Sequence, residues 1–362
     1  MSRIVVKVGS SSLTTAQGGL EIEKLNHISN AICDHLQNGD QIVLVSSGSI
    51  AAGLAPLNLS VRPSDLATQQ AAASVGQGLL MRHYADVFAN RGFTVGQVLL
   101  TLDDVTRRGH YRNAYNTFAK LLELGAVPIV NENDTVATNE MRFGDNDRLA
   151  ALVAHLIHAD RLILLSDVDG LYDRPPKQPD AKLISEITSA EQLAKIDVTL
   201  PSSSKIGTGG MVTKVEAARI ASEAGIRVTL TDAKNIAAAL ADGKVGTTFV
   251  PSGTRPTTRL LWLAHASEVK GSIHVDAGAV RALREKKASL LPAGVTRVEG
   301  NFLSSDAVNI VGPEGQTIAR GLVTYDSVEI PKLIGRSTHE LAEEFGPDYE
   351  RELIHRDDLT LI

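Results

Sequence analysis

The sequence predicts an α/β protein: a three-layer α/β/α sandwich on a mainly parallel sheet, followed by a small, mostly β domain. Three observations carry this. Short apolar runs rich in Val and Ile alternate with longer stretches of helical periodicity, which implies a parallel sheet covered on both faces. Polar clusters stand where those runs end, at the edge where open parallel sheets bind ligands. Past Pro251 the texture changes, first to loop residues and then to short strands separated by turns.

The elements follow in order. Ile4–Val8 reads as a buried strand. Leu25, Ile28, Ile32 and Leu36 fall at helical spacing, and Gly39 can end that helix. Apolar strands recur at Ile42–Val45, Phe93–Leu100, Val127–Val130 and Leu162–Leu165. Ala71–Ala73 suggests close helix packing. Val212–Ala224 is a helix closed by Gly225, and Val228–Leu230 returns as a strand. The segment from Ser252 to Thr258 is loop chemistry. Beyond it, Gly271–Val275, Ser305–Val311 and Gln316–Leu322 read as strands, with Gly312–Gly315 as a hairpin turn. The expected division is 1–253 for the sandwich, 254–269 for a linker and 270–362 for the second domain.

The bulk composition agrees. A chain of 362 residues suggests roughly two domains at about 150 residues each. It is 43% hydrophobic and 22% charged, ordinary for a globular protein and unlike a disordered or fibrous one. A formal net charge of −6 speaks against a chain whose main task is coating nucleic acid. Cys33 is the single cysteine, so no internal disulfide forms and a reducing compartment fits. No signal peptide precedes the first strand. No apolar run reaches the roughly 18 residues of a membrane span. A soluble cytoplasmic protein is expected.

The chemistry sits at the strand ends. Lys7 lies inside an otherwise apolar strand, where a lysine is costly unless it meets an anion; Gly9 to Ser12 follow it and let backbone N–H groups approach phosphate. Ser46-Ser47-Gly48-Ser49 offers hydroxyls and the free donors of a helix start. Asn131 to Asp134 and Gly144 to Asp147 are dense in acids and amides, leaving metal binding, amine recognition or lysine positioning as choices. Ser166-Asp167 ends another strand. Gly207 to Lys214 is a Gly-rich loop running into a helix, a plausible nucleotide phosphate site. Phosphoryl transfer needs cations around the transferred group. Lys7 and Lys214 can supply them, and Asp147 can hold both in register. The residues read alone give a kinase acting on a small anion.

Lys7–Ser11, Val45–Gly53, Asn131–Asp134, Phe143–Asp147, Ser166–Tyr172 and Gly207–Lys214 resemble, in order, the motif set of the bacterial glutamate 5-kinase family, within the amino acid kinase superfamily. Leu290–Val295, Val298–Phe302 and His355–Asp358 resemble a PUA domain. The resemblance implies Lys7, Asp147 and Lys214 as the catalytic group. It implies Ser47, Asp134 and Asn146 as L-glutamate contacts. For ATP it implies Lys7, Ser166, Asp167, Thr208, Gly209, Gly210, Met211, Val212, Thr213 and Lys214. It further implies Mg²⁺ brought with ATP, L-glutamyl 5-phosphate as product at the start of proline synthesis, proline as feedback inhibitor, and a homo-oligomer. The Thr106–Asn113 loop, with three arginines, is expected at the edge of the glutamate site. Ser10 and Ser166 stand where the family often has Thr, and both keep a hydroxyl. Asp173–Pro179 departs from the common pattern. A PUA domain suggests RNA, but Lys270–Ile362 holds 11 Lys and Arg against 15 Asp and Glu, a balance of −4 that weighs against it.

Overall fold

The computed structural model describes residues 2–15, 19–101, 104–105, 108–136, 146–174, 178, 180–194, 196, 210–251, 269–286, 288–304 and 306–362. Two compact units are present, Met1–Arg255 and Pro256–Ile362.

In the first unit the chain runs β1 (Arg3–Val8), α1 (Ile22–Gln37), β2 (Gln41–Ser46), α2 (Ser49–Leu54), α3 (Leu66–Ala89), β3 (Thr94–Leu100), α4 (Arg108–Glu123), β4 (Ala126–Glu132), α5 (Asn146–Leu156) and β5 (Arg161–Ser166). It continues through β6 (Glu186–Ile187), α6 (Ala190–Ala194), α7 (Met211–Glu223), β7 (Arg227–Asp232), α8 (Ile236–Leu240) and β8 (Thr247–Phe249). The eight strands form one sheet in the order β3-β4-β2-β1-β5-β7-β8-β6. All neighbours pair parallel except β7 with β8, which pair antiparallel. The mainly parallel sandwich expected from the sequence is present. The two-residue β6 and three-residue β8 are too short to show a period and escape a reading of the sequence.

Side chains alternate across a strand, and β1 uses both faces differently. Ile4, Val6 and Val8 join a core with Leu25, Ile28 and Ile32 of α1 and Leu80, Tyr84 and Phe88 of α3. Val5 and Lys7 therefore face the other layer, where α5 packs on β1. In α5 every residue from Leu149 to Leu156 is buried, the signature of a helix enclosed on all sides. Cys33 is buried in α1, where burial pushes its thiol up; its role is packing.

β1 is where the strand order reverses, with β2 on one side and β5 on the other. Such switch points open a crevice at the carboxyl ends of the strands. Two glycines shape that crevice. A Cβ on Gly53 of α2 would lie 1.9 Å from the Ala72 carbonyl oxygen, and one on Gly76 of α3 would lie 1.8 Å from that of Ser49. Only glycine lets these helices cross so closely.

The second unit contains β9 (Val269–Val275), α9 (Ala277–Lys286), β10 (Val295–Gly300), β11 (Ala307–Val311), β12 (Thr317–Leu322), α10 (Thr338–Phe345) and β13 (Leu359–Leu361). Its sheet runs β10-β9-β11-β12-β13 over its own core, which includes Ile273, Phe302, Ile310, Ile318, Ile330 and Ile354. The hairpin expected at Gly312–Gly315 joins β11 to β12, closed by the Gly312 N–H donating to the Gln316 carbonyl at 2.9 Å. Among the described residues no helix is long and apolar enough to cross a membrane.

Candidate active site

Among the described residues, five segments carry the polar residues of the crevice: the end of β1, the β2–α2 turn, the β4–α5 region, the end of β5 and the start of α7. The β2–α2 turn depends on Gly48, which caps α2 at φ +103, a left-handed conformation natural to glycine. The turn is anchored from α3, where the Tyr84 hydroxyl and Ser46 Oγ lie 2.8 Å apart. Burial pushes the Tyr84 phenol up, so it stays protonated.

Asp147, the second residue of α5, is fully buried. One carboxylate oxygen lies 2.5 Å from Lys7 Nζ and the other 2.9 Å from Lys214 Nζ. Thr213 Oγ1 lies 3.3 Å from the second oxygen. Burial alone pushes the Asp147 carboxyl up; the two lysine charges outweigh it and hold it down at about 2. The lysine expected in β1 to meet an anion does so, at 2% exposure. Lys214, on the first turn of α7, is nearly as buried. Two ammonium groups and one carboxylate leave the trio with one net positive charge. A buried cluster of that kind is complementary to an anion.

Beside the trio lies a neutral cluster. Asn146 Nδ2 donates to the Ser46 carbonyl at 3.2 Å, to Ser47 Oγ at 2.9 Å and to Asn131 Oδ1 at 2.8 Å. Asp134 accepts from Ser49 Oγ at 3.3 Å. The three residues expected at the glutamate site thus meet around the β2–α2 turn: Ser47 and Asn146 directly, Asp134 through Ser49.

The α7 end supplies donors. Its cap is Gly210, its first residue is Met211, and Val212 is exposed. Thr213 Oγ1 donates to the Gly210 carbonyl at 2.9 Å. The first N–H groups of a helix have no intrahelical acceptor and favour phosphate. Ser166 ends β5, buried, with its Oγ donating to Asp167 at 3.2 Å. Thr208, Gly209 and Phe143–Asp145 lie outside the described residues, as do Thr106 and Arg107. The rest of the segment expected as a loop, 108–113, instead opens α4, a helix whose periodicity the arginines and polar residues had masked.

Sequence reasoning missed Gln77 and the part played by Asn131. Gln77 Oε1 accepts from Asn131 Nδ2 at 2.8 Å, with both side chains buried. A glutamine in the Ala-rich α3 carries no local signal. Also unforeseen is Arg148, which grips both oxygens of Glu216 at 2.8 Å each and ties α5 to α7.

A buried lysine–aspartate–lysine cluster on the carboxyl edge of a parallel sheet, beside a helix N-terminus, has the chemistry that an anionic phosphoryl group requires. The comparisons with known proteins agree. The amino acid kinase family model matches residues 2–232, and the PUA domain model residues 271–345. The glutamate 5-kinase of Streptomyces avermitilis is 58% identical over 361 residues, spanning 99% of this chain and 96% of its own. That of Thermobifida fusca is 56% identical (99% and 93%) and that of Rhodococcus jostii 52% (99% and 96%). Among solved structures, carbamate kinase from Giardia lamblia bound to AMP-PNP aligns with a TM-score of 0.52 at 18% identity. The alignment covers 69% of this chain and 99% of that one, a likeness of fold alone. The chain belongs to the amino acid kinase family and, at over half its residues identical along nearly its full length, to the glutamate 5-kinases within it.

Proposed function

We propose that the chain transfers the γ-phosphoryl group of ATP to the γ-carboxylate of L-glutamate, giving L-glutamyl 5-phosphate and ADP, the opening step of proline synthesis. The observation that carries this is the buried Lys7–Asp147–Lys214 trio in a chain with this kinship. A γ-carboxylate oxygen forms the new P–O bond as the bond to ADP breaks. The acceptor is already ionised, so no proton need be removed. What the site must supply is alignment and compensation of charge on the transferred group. Lys7 and Lys214 meet that charge, and Asp147 keeps both ammonium groups in place when phosphate is absent.

In this reading Ser47, Asp134 and Asn146 hold L-glutamate, with Asp134 suited to its ammonium. Ser166, Asp167 and the 208–214 segment take the nucleotide. Mg²⁺ arrives as part of the ATP complex. Among the described residues no three His, Cys, Asp or Glu side chains cluster to hold a metal. An ion riding on nucleotide phosphates keeps its waters and asks few protein ligands. Residues 1–253 form the catalytic unit, and 270–362 a PUA-like unit whose acidic balance disfavours RNA. Cytoplasmic location, homo-oligomeric assembly and feedback inhibition by proline belong to the same reading. Proline shares an α-carboxylate and an amine with glutamate.

The test is ADP release from MgATP with L-glutamate, N-acetylglutamate, aspartate or UMP. L-Glutamate should dominate, because acylation removes the ammonium. Equal rates with the acylated substrate overturn the reading.

A further inference from the structure

We propose that Gln77 is a positioning residue that locks the donor–acceptor polarity of the glutamate site without touching the substrate. The proposal rests on the reading of Ser47, Asp134 and Asn146 as that site. A side-chain amide can present either its oxygen or its nitrogen, and its partners decide which. Here backbone groups pin the chain of amides at two points. The Glu132 N–H, a fixed donor, points at Asn131 Oδ1 at 2.9 Å. The Ser46 carbonyl, a fixed acceptor, takes Asn146 Nδ2 at 3.2 Å.

Asn131 Nδ2 therefore turns away from the Glu132 N–H, into a buried location, and Gln77 Oε1 receives it at 2.8 Å. With that acceptor in place, Asn131 Oδ1 serves Glu132 and Asn146 together. All the donor capacity of Asn146 is then spent on protein. Its Oδ1 is buried with no partner among the described residues. It stands as an acceptor beside Ser47, the polarity an ammonium needs. Without Gln77, the buried Asn131 amide would lack an acceptor, and the Glu132 N–H alone would oppose its rotation. Its oxygen would then sit less firmly on Asn146, whose amide would keep only the Ser46 and Ser47 acceptors to orient it toward the substrate.

Gln77 Nε2 is itself buried with no partner among the described residues. Replacing Gln77 by Met removes that unsatisfied donor as well as the acceptor, so fold stability should change little while substrate recognition changes. A purely structural role would show the opposite pattern.

The experiment measures kcat, both KM values and the thermal midpoint for the full chain and for Gln77→Met, Gln77→Glu and Asn131→Ala, with the Gln77→Met/Asn131→Ala double variant. The Met variant should raise KM for L-glutamate about tenfold, the loss of one buried hydrogen bond. KM for ATP and kcat should stay within about twofold. In the Asn131→Ala background the same substitution should add nothing, because the relay is already cut. Gln77→Glu keeps an oxygen acceptor, and burial favours its neutral form, so its glutamate KM should stay near that of the unaltered chain. An unchanged KM in the Met variant, a full further rise in the double variant, or a Glu variant as impaired as Met overturns the relay. If the Met variant does not fold, Gln77→Glu and Asn131→Ala decide. Normal KM in the first with raised KM in the second sustains the relay, and any other pairing overturns it. An unaltered chain that releases no ADP with L-glutamate removes the functional reading instead, so the two failures are distinguishable.

Discussion

Asp147 and Asn146 are neighbours at the start of α5, and their surroundings are built from different materials. Asp147 is fixed by two ammonium groups, and Asn146 by a carbonyl, a hydroxyl and an amide. Charges in a dry site attract strongly at several ångströms and tolerate small displacements. Amide hydrogen bonds are directional and fail over a fraction of that distance. The phosphoryl group, which moves during transfer, sits on the tolerant side in the proposed arrangement. Glutamate, which must be told from its relatives, sits on the directional side. Catalytic power and substrate choice should therefore respond to different substitutions, although one helix turn carries both residues.

The largest expected effect lies on the charged side. Lys214→Ala should lower kcat by about 10²–10³, or about 3–4 kcal/mol of stabilisation of developing charge, with glutamate KM much less affected. Steady-state kinetics with a circular dichroism check would measure this. A variant with near-normal kcat would place Lys214 away from the phosphate and dissolve the contrast.

Acid should undo the same half next. The Asp147 carboxyl is held at about 2, below the 3.8 of an ordinary one. Its contribution to stability is complete above about pH 4 and disappears as pH falls toward 2, a loss of about 2 kcal/mol. Urea unfolding between pH 5 and 2.5 should show a shallower acid slope in Asp147→Asn than in the unaltered chain. Identical slopes would mean that the trio does not hold the carboxylate ionised.

The smallest effect is expected at the Arg148–Glu216 pair. It bridges the two helices that carry Asp147 and Lys214, but both side chains remain partly exposed, where such pairs are worth up to about 1 kcal/mol. Arg148→Met should lower the unfolding midpoint slightly and kcat by no more than about threefold. A loss as large as that of Lys214→Ala would show that the charged half needs tighter registry than its long-range forces suggest.

The same division explains what the sequence discloses. Lys7 was legible because a charge in an apolar strand asks for a partner, Asp147 because acids and amides crowd its motif, and Lys214 because a Gly-rich loop runs into its helix. Strands β1, β2, β4 and β5 were legible because a buried parallel strand is apolar throughout. Gln77 was not, because a glutamine in a helix is ordinary until its neighbours are known, and its neighbour Asn131 lies 54 positions away. Helix α3 did leave signals: Asp65 caps it by accepting from the Thr68 N–H at 2.8 Å. So did α10, where Ser337 and Glu340 form a capping box. The short β6 and β8 left none.

The crossing of α2 and α3 has a bearing on how damage to this enzyme would present. Gly53 and Gly76 touch no proposed ligand contact, yet Ser49 begins the helix that one of them occupies, and Gln77 directly follows the other. Alanine at either site would wedge the helices apart and carry the serine turn away from Asn131 and Asn146. The lesion would then read kinetically as a poor grip on glutamate, although each residue proposed to contact glutamate remained intact. An inherited weakness in substrate affinity can thus originate in a place with no chemistry at all, where a missing methyl group is the functional element.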